Sequence, residues 1–322
     1  MKKNNLDNNL NNSRDNLNII LDPKKFIKIG CNDLDAESIA RPSMTYWEDA
    51  WRRLQDNKIS MISLYLLILL AVMTLIGAKI SGHDYTVTDT NLMNQFPSAK
   101  HWFGTDALGR DLFARVWIGG RISILIGLIG TIITVIVGSL YGGLSGYLGG
   151  KIDHYMMRTI EILSSIPGLV LVILVSLYMG KGMYSLIFAL TVTGWMGTAR
   201  LVRGQVLQLR EQEFIHAAVA LGSSPMKIII QHLLPNTLGV LIVSITFSIP
   251  GFIFSEAFLS FLGLGVQAPD TSWGVLAYSA MENLMFYPYQ LFFPSILIAL
   301  TMLTFSLLGD GLRDALDPKL RQ

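Results

Sequence analysis

Charge is scarce in this chain and cysteine is nearly absent. Lys, Arg, Asp and Glu make up 15% of the 322 residues, and the one cysteine is Cys31. A single thiol excludes an internal disulfide and any C-x-x-C metal or redox pair. A phosphate-binding loop is missing too: the nearest stretch, Gly180-Lys181-Gly182, has neither the spacing nor the following hydroxyl. Neither G-x-S-x-G nor H-E-x-x-H occurs. The five histidines, His83, His101, His154, His216 and His232, show no paired ligand spacing, so they read as loop or surface groups and no metal site is expected. The formal net charge of +2 is too small to suggest a nucleic-acid partner. These absences leave no catalytic residue to name and no cofactor for this chain to bind.

Apolar residues are abundant, at 51%, and there are 29 glycines. That balance suits a chain solvated by lipid, where glycine lets helix backbones approach closely. Six apolar stretches, 59–80, 122–150, 162–180, 182–199, 236–255 and 290–309, each hold 18 residues or more, and Lys79 is the only charge among them. At about 1.5 Å per residue, each is long enough for a hydrocarbon core of roughly 30 Å. The sequence therefore predicts an all-α membrane protein with six transmembrane helices. No cleavable export signal is expected, because the first 58 residues are polar and the following apolar run is too long.

Orientation follows from the basic residues. With the N-terminal tail in the cytoplasm, 19 of the 25 Lys and Arg fall in cytoplasmic segments. The positive-inside rule then places both termini in the cytoplasm. Segment 263–289 carries no Lys or Arg, as an external loop should.

The first 40 or so residues offer little to bury and read as a flexible tail. Near 44–57 the pattern changes: Trp47, Trp51 and Leu54 recur at helical spacing, Thr45 and Glu48 fit a capping box, and Arg52 and Arg53 lie between the apolar positions. This predicts an amphipathic helix, lying against lipid headgroups or on an ordinary protein surface. In the second apolar stretch Gly138, Gly142, Gly146 and Gly150 recur every four residues, a stripe suited to close helix contact. Pro167 and Pro250 should bend or locally unwind the third and fifth spans. Glu256, near the outer end of the fifth, is the one acidic group close to bilayer depth, paired with a polar neighbour or facing an aqueous path.

The segment 200–236 carries most information. It contains Glu213-Phe214-Ile215-His216-Ala217-Ala218-Val219-Ala220-Leu221-Gly222, then Ser223-Ser224-Pro225, and ends at Leu234-Pro235-Asn236. Gly222 can close a helix in the left-handed conformation, Ser224 can cap the next, and Pro225 suits its first turn. The small residues Ala217, Ala218 and Ala220 keep the first helix slim enough to enter a groove on a partner. Two compact helices around a sharp turn, in a chain with no engine of its own, suit a docking lever.

This segment resembles the conserved cytoplasmic loop of permease subunits of binding-protein-dependent ABC importers, E-A-A-x3-G-x9-I-x-L-P. Ala217, Ala218, Gly222, Leu234 and Pro235 match, while His216 stands at the Glu position and His232 at the Ile position. Residues 101–111, with Asp106, Arg110 and Asp111, resemble an external segment of dipeptide and oligopeptide permeases. So does 261–274, with Trp273. The front end, 41–53, is similar to the second permease subunit of oligopeptide systems.

The resemblance implies a type I ABC importer permease fold in the cytoplasmic membrane: a cytoplasmic tail over 1–58, a permease domain over 59–310, and a cytoplasmic tail over 311–322. It assigns external segments to 81–121 and 262–289 and an ATPase-coupling loop to 200–236. Coupling would rest on Glu213, His216, Ala217, Ala218, Gly222, Pro225 and Pro235; the external face or path would draw on Asp106, Arg110, Asp111, Glu256 and Trp273. Implied partners are a homologous second permease subunit, two cytoplasmic ATPase subunits carrying ATP and Mg, an extracytoplasmic solute-binding protein, a peptide substrate and membrane lipid. Related permeases take dipeptides, nickel, glutathione or opine-like solutes. A secondary carrier or channel would also have six spans, but usually shows intramembrane charges or an internal repeat. A membrane-embedded enzyme would need a clustered nucleophile or metal set.

Overall fold

The computed structural model describes residues 45–316. The expected flexible tail and Cys31 lie outside the described residues, as does the end of the C-terminal tail. Among the described residues the architecture is helical, with one isolated antiparallel bridge between Thr105 and Asp111.

A short helix, α1 (Tyr46–Asp56), precedes the first long apolar helix, α2 (Lys58–Ser81). Asn57 separates them and accepts from the Ile59 and Ser60 amides, so one polar side chain starts the membrane helix. Ala50 and Leu54 of α1 face inward, Leu54 joining Leu308 and Ala315, whereas Trp47 and Trp51 are about half exposed. Next come α3 (Leu112–Leu148), α4 (Gly150–Ser165), α5 (Gly168–Met179), α6 (Met183–Leu209) and α7 (Glu213–Ala220). After α8 (Pro225–Ile228), a π turn over Ile229–Leu233 leads into α9 (Leu234–Leu259), which ends in a second π turn, Ser260–Leu264. The chain closes with α10 (Trp273–Ala280) and α11 (Tyr289–Leu316).

Among the described residues, five helical stretches are long and apolar enough to cross a membrane: α2, α3, α6, the run from α8 through α9, and α11. The third span expected over 162–180 is not straight. Residues 162–165 belong to α4, and Ile166-Pro167 breaks the chain so that α4 and α5 meet at 80°. With 12 residues, α5 reaches only about 18 Å and cannot cross alone. The count reaches six when the bent pair is taken as one crossing. The proline explains the break, having no N–H to donate and disfavouring helical backbone in the residue before it.

Pro250 behaves otherwise. It lies inside α9, which continues unbroken to Leu259, and α9 departs from α geometry only at its two flanking π turns. Pro250 therefore does not interrupt the helix as Pro167 does. Likewise α3 starts at Leu112, ten residues before its apolar stretch, because Asp111 caps it through the Ala114 amide. Arg115 and Arg121 interrupt the apolar pattern there without interrupting the helix. Arg121 donates to the carbonyls of Thr74 and Leu75 on α2.

The most extensive contact joins α3 and α6. A Cβ on Gly142 would stand 2.2 Å from the Ala199 carbonyl oxygen, one on Gly138 2.7 Å from Thr198 Cβ, and one on Gly146 3.0 Å from the Arg203 carbonyl oxygen. In lipid, where apolar surface gains little from leaving solvent, such backbone contact is a principal source of helix association. Gly150 stands apart from the stripe: it starts α4 and faces open space. The outward faces remain apolar, with Ile62, Tyr65, Leu69 and Leu75 of α2 all more than half exposed. An apolar surface of that extent matches a lipid or partner environment.

Candidate functional site

At the end of the bundle where α6 finishes, α7, Gly222 and α8 form a compact outcrop. Ile215 and Ala218 are the buried residues of α7, and with Ile228, Ile229 and Leu233 they pack on Val202 and Val206 of α6. The turn closes tightly: the Gly222 amide donates to Val219 O at 2.9 Å, and the Ser223 amide to Ala218 O at 3.1 Å. Gly222 adopts φ +77°, a conformation that costs an L-residue with a Cβ, though nothing lies within 4 Å of where that Cβ would be. Pro225 occupies the first turn of α8 as expected, whereas the Ser224 side chain makes no capping bond.

The other face of the outcrop is bare. Phe214, Val219, Leu221 and Met226 are exposed, Leu221 at 86%. Glu213, His216, Ala217 and Pro225 are exposed beside them, and Ala218 turns inward. Pro235 lies apart, lining a cavity of about 790 Å³ with Tyr46, Trp47, Gln205, Gln208 and Arg313.

Behind the outcrop runs a polar clamp that sequence reasoning missed. Arg203 of α6 donates through Nε to Asp153 Oδ1 at 2.5 Å and through Nη2 to Oδ2 at 2.6 Å, and Ser145 of α3 donates to the same carboxylate at 2.5 Å. Arg210 Nη1 adds a bond to Gly146 O at 3.1 Å. Arg200 Nη2 donates to Ser164 Oγ at 2.8 Å. Three helices thus meet at one carboxylate, and no local spacing signals it, since Asp153 and Arg203 are 50 residues apart.

At the opposite end, the residues expected on an external face or path hold segments together. Asp106 accepts from the Leu108 and Arg110 amides and from Arg110 Nε at 2.8 Å, with Arg115 Nε 3.5 Å away. Asp111 is buried between the α3 cap and His101. Trp273 is fully buried; its ring N–H donates to Val116 O and its amide to Ser123 Oγ. Ser123 in turn donates to Glu256 at 2.7 Å, as does Ser260, so of the two readings of Glu256 the structure places a polar pairing inside the bundle. Asp111, Glu256 and Trp273 therefore line no open path in this conformation. A carboxylate at that depth needs donors, and hydroxyls on α3 and the α9 extension provide them.

An open groove of about 430 Å³ runs between α5, α6 and α9. Thr193, Ser248 and Ser255 give it polar points among Val172, Phe254 and Phe258.

Comparison with known proteins agrees with this arrangement. Residues 138–322 match the family model described as binding-protein-dependent transport system inner membrane component. Residues 45–97 match the N-terminal transmembrane domain of oligopeptide transport permease C. The dipeptide transport system permease protein of Bacillus subtilis (strain 168) is 50% identical over 289 residues, 89% of this chain and 90% of that protein. The oligopeptide transport system permease protein of the same organism is 44% identical, covering 92% of this chain and 97% of its own length. Among solved structures, the inward-facing MetNI methionine ABC transporter aligns with 64% of this chain and 96% of its own at TM-score 0.51 and 22% identity, a likeness of fold.

Proposed function

The chain belongs to the binding-protein-dependent transport permeases, in the branch of the dipeptide and oligopeptide systems, and from that premise we propose that it is one of two permease subunits of an ATP-driven importer carrying oligopeptides across the cytoplasmic membrane. Both termini and the α7–α8 outcrop face the cytoplasm in this reading, supported by the distribution of Lys and Arg. ATP and Mg belong to two partner ATPase subunits, and an extracytoplasmic binding protein delivers the peptide. This chain makes and breaks no covalent bond.

The observation that carries the proposal is the two-faced outcrop: bare apolar residues outward, an interlocked apolar face inward. The bare face is the seat for the ATPase. Because Ile215 and Ala218 are locked onto Val202 and Val206, a push on α7 moves α6 with it. The Arg203–Asp153 clamp carries that movement to α4, and the glycine stripe carries it to α3. ATP binds the closed ATPase pair more tightly than the open one, so nucleotide shifts the population of the permease between inward-open and outward-open forms. The groove between α5, α6 and α9, with its spaced hydroxyls, supplies this subunit's half of the path. Hydroxyls among phenylalanines suit a peptide: the hydroxyls pair with its backbone, and the rings pack against varied side chains.

A second reading, import of dipeptides, is favoured by the 50% identity to a dipeptide permease. Uptake of labelled di-, tri- and pentapeptides by cells with and without this chain separates the two. Loss confined to dipeptides would select the second reading, and undiminished uptake of all three would remove both.

A further inference from the structure

Two histidines between α2 and α3 are unused by the transport reading. His101 is 4% exposed, and its Nδ1 lies 2.9 Å from Asp111 Oδ2. An ionised carboxylate only accepts, so this contact assigns the ring proton to Nδ1 and leaves Nε2 a bare lone pair. Nε2 is enclosed and has no hydrogen-bond partner. A buried acceptor without a donor is costly, and a cation is one way to satisfy it.

The second lone pair is beside it. The His83 ring stacks on His101 with centroids 4.6 Å apart at 29°. His83 Nε2 faces the Lys100 carbonyl at 3.1 Å, which places its proton there and leaves Nδ1 as an acceptor. One ligand atom from each of His83, His101 and Asp111 falls within 4.8 Å of the others. Imidazole donors suit divalent transition cations rather than Mg or Ca.

We propose that His83, His101 and Asp111 form a site for a divalent transition cation of the zinc class, stapling the end of α2 to the start of α3. The imidazoles of His83 and His101 are the ligands. Asp111 orients His101 from behind, as carboxylates commonly do for metal-bound imidazole. Zn–N bonds of about 2.0–2.1 Å bring two ligand nitrogens to roughly 3.3 Å, so the partly exposed His83 ring must swing out of its stack on His101 to aim its lone pair at the same ion. Water reaches the site past His83 and fills the remaining positions.

The test is titration of the untagged full-length chain in lipid nanodiscs with zinc chloride, read by competition with a chromophoric chelator. The wild-type chain should bind one equivalent, and X-ray absorption should report imidazole nitrogens near 2.0 Å. His83→Gln keeps a donor for the Lys100 carbonyl and lies at a partly exposed position, so the fold persists while affinity falls roughly tenfold or more. His101→Gln should abolish the site. Equal affinity in wild type and His83→Gln would overturn the proposal by placing zinc on His154, His216 or His232. So would no binding to wild-type chain whose helical circular dichroism is intact.

Discussion

Arg203 and Asp153 meet face to face in a two-pronged ion pair, and the helices they join lie directly behind the segment that carries α7. A fork of this geometry fixes orientation as well as distance, which a single-point contact does not. It therefore holds α4 in register with α6 during any movement that α6 undergoes.

Arg203→Lys should keep the charge and lose the fork. We expect peptide uptake in intact cells to fall severalfold while the chain still accumulates in the membrane. Asp153→Ala should be worse, since it strands a part-buried guanidinium at about 1–3 kcal/mol. Exchanging the two residues should recover part of the loss. Uptake unaffected by Asp153→Ala would remove the clamp from the mechanism.

Gly222 separates backbone strain from steric clash. With no neighbour near its Cβ position but φ at +77°, Gly222→Asn should be tolerated, because Asn visits the left-handed region. Gly222→Val should distort the turn at a cost of about 1–3 kcal/mol. Membrane levels should match in both variants, with transport-coupled ATP hydrolysis lost only in the valine form.

The glycine stripe predicts a direct effect on stability, because it sets how closely α3 and α6 pack. Gly142→Val drives side-chain atoms into the Ala199 carbonyl and should lower the thermal midpoint of the detergent-solubilised chain, at a cost of about 1–3 kcal/mol or more. Gly204→Ala, with nothing within 4 Å, should leave the midpoint unchanged or slightly raised. A stable Gly142→Val chain would mean that α3 and α6 do not pack as described.

Glu256 ties α3 to the end of α9 through Ser123 and Ser260. Glu256→Leu removes the acceptor and leaves two buried hydroxyl protons without one, about 1–3 kcal/mol each. Glu256→Gln retains one acceptor oxygen and should lie between the leucine variant and wild type. Thermal unfolding followed by tryptophan fluorescence reads this order, since Trp273 shares the network.

Much of the architecture was readable because its signals are local. Apolar length marked the spans, four-residue spacing marked Gly138, Gly142 and Gly146, and Gly222 followed by Pro225 marked the turn. Misreadings arose where a local signal met a distant partner. Arg115 and Arg121 looked like the edge of a loop, yet α3 runs through both because distant acceptors take their charge, Thr74 and Leu75 in the case of Arg121. The Asp153–Arg203 clamp and the His83–His101 stack join residues 50 and 18 positions apart, and no periodicity records such encounters. Trp273 looked like part of an exposed loop, but the close approach of Gly120 and Gly274 made room to bury it.

The most direct test is a photo-activatable residue at Leu221, the most exposed of the outcrop's large apolar residues, in the assembled importer. Ultraviolet cross-linking should join this chain to a nucleotide-hydrolysing subunit, and the same probe at Met285, exposed at the opposite end, should not. If Leu221 instead cross-links to the external binding protein, or Met285 to the ATPase, the outcrop is not where the motor engages and the account fails.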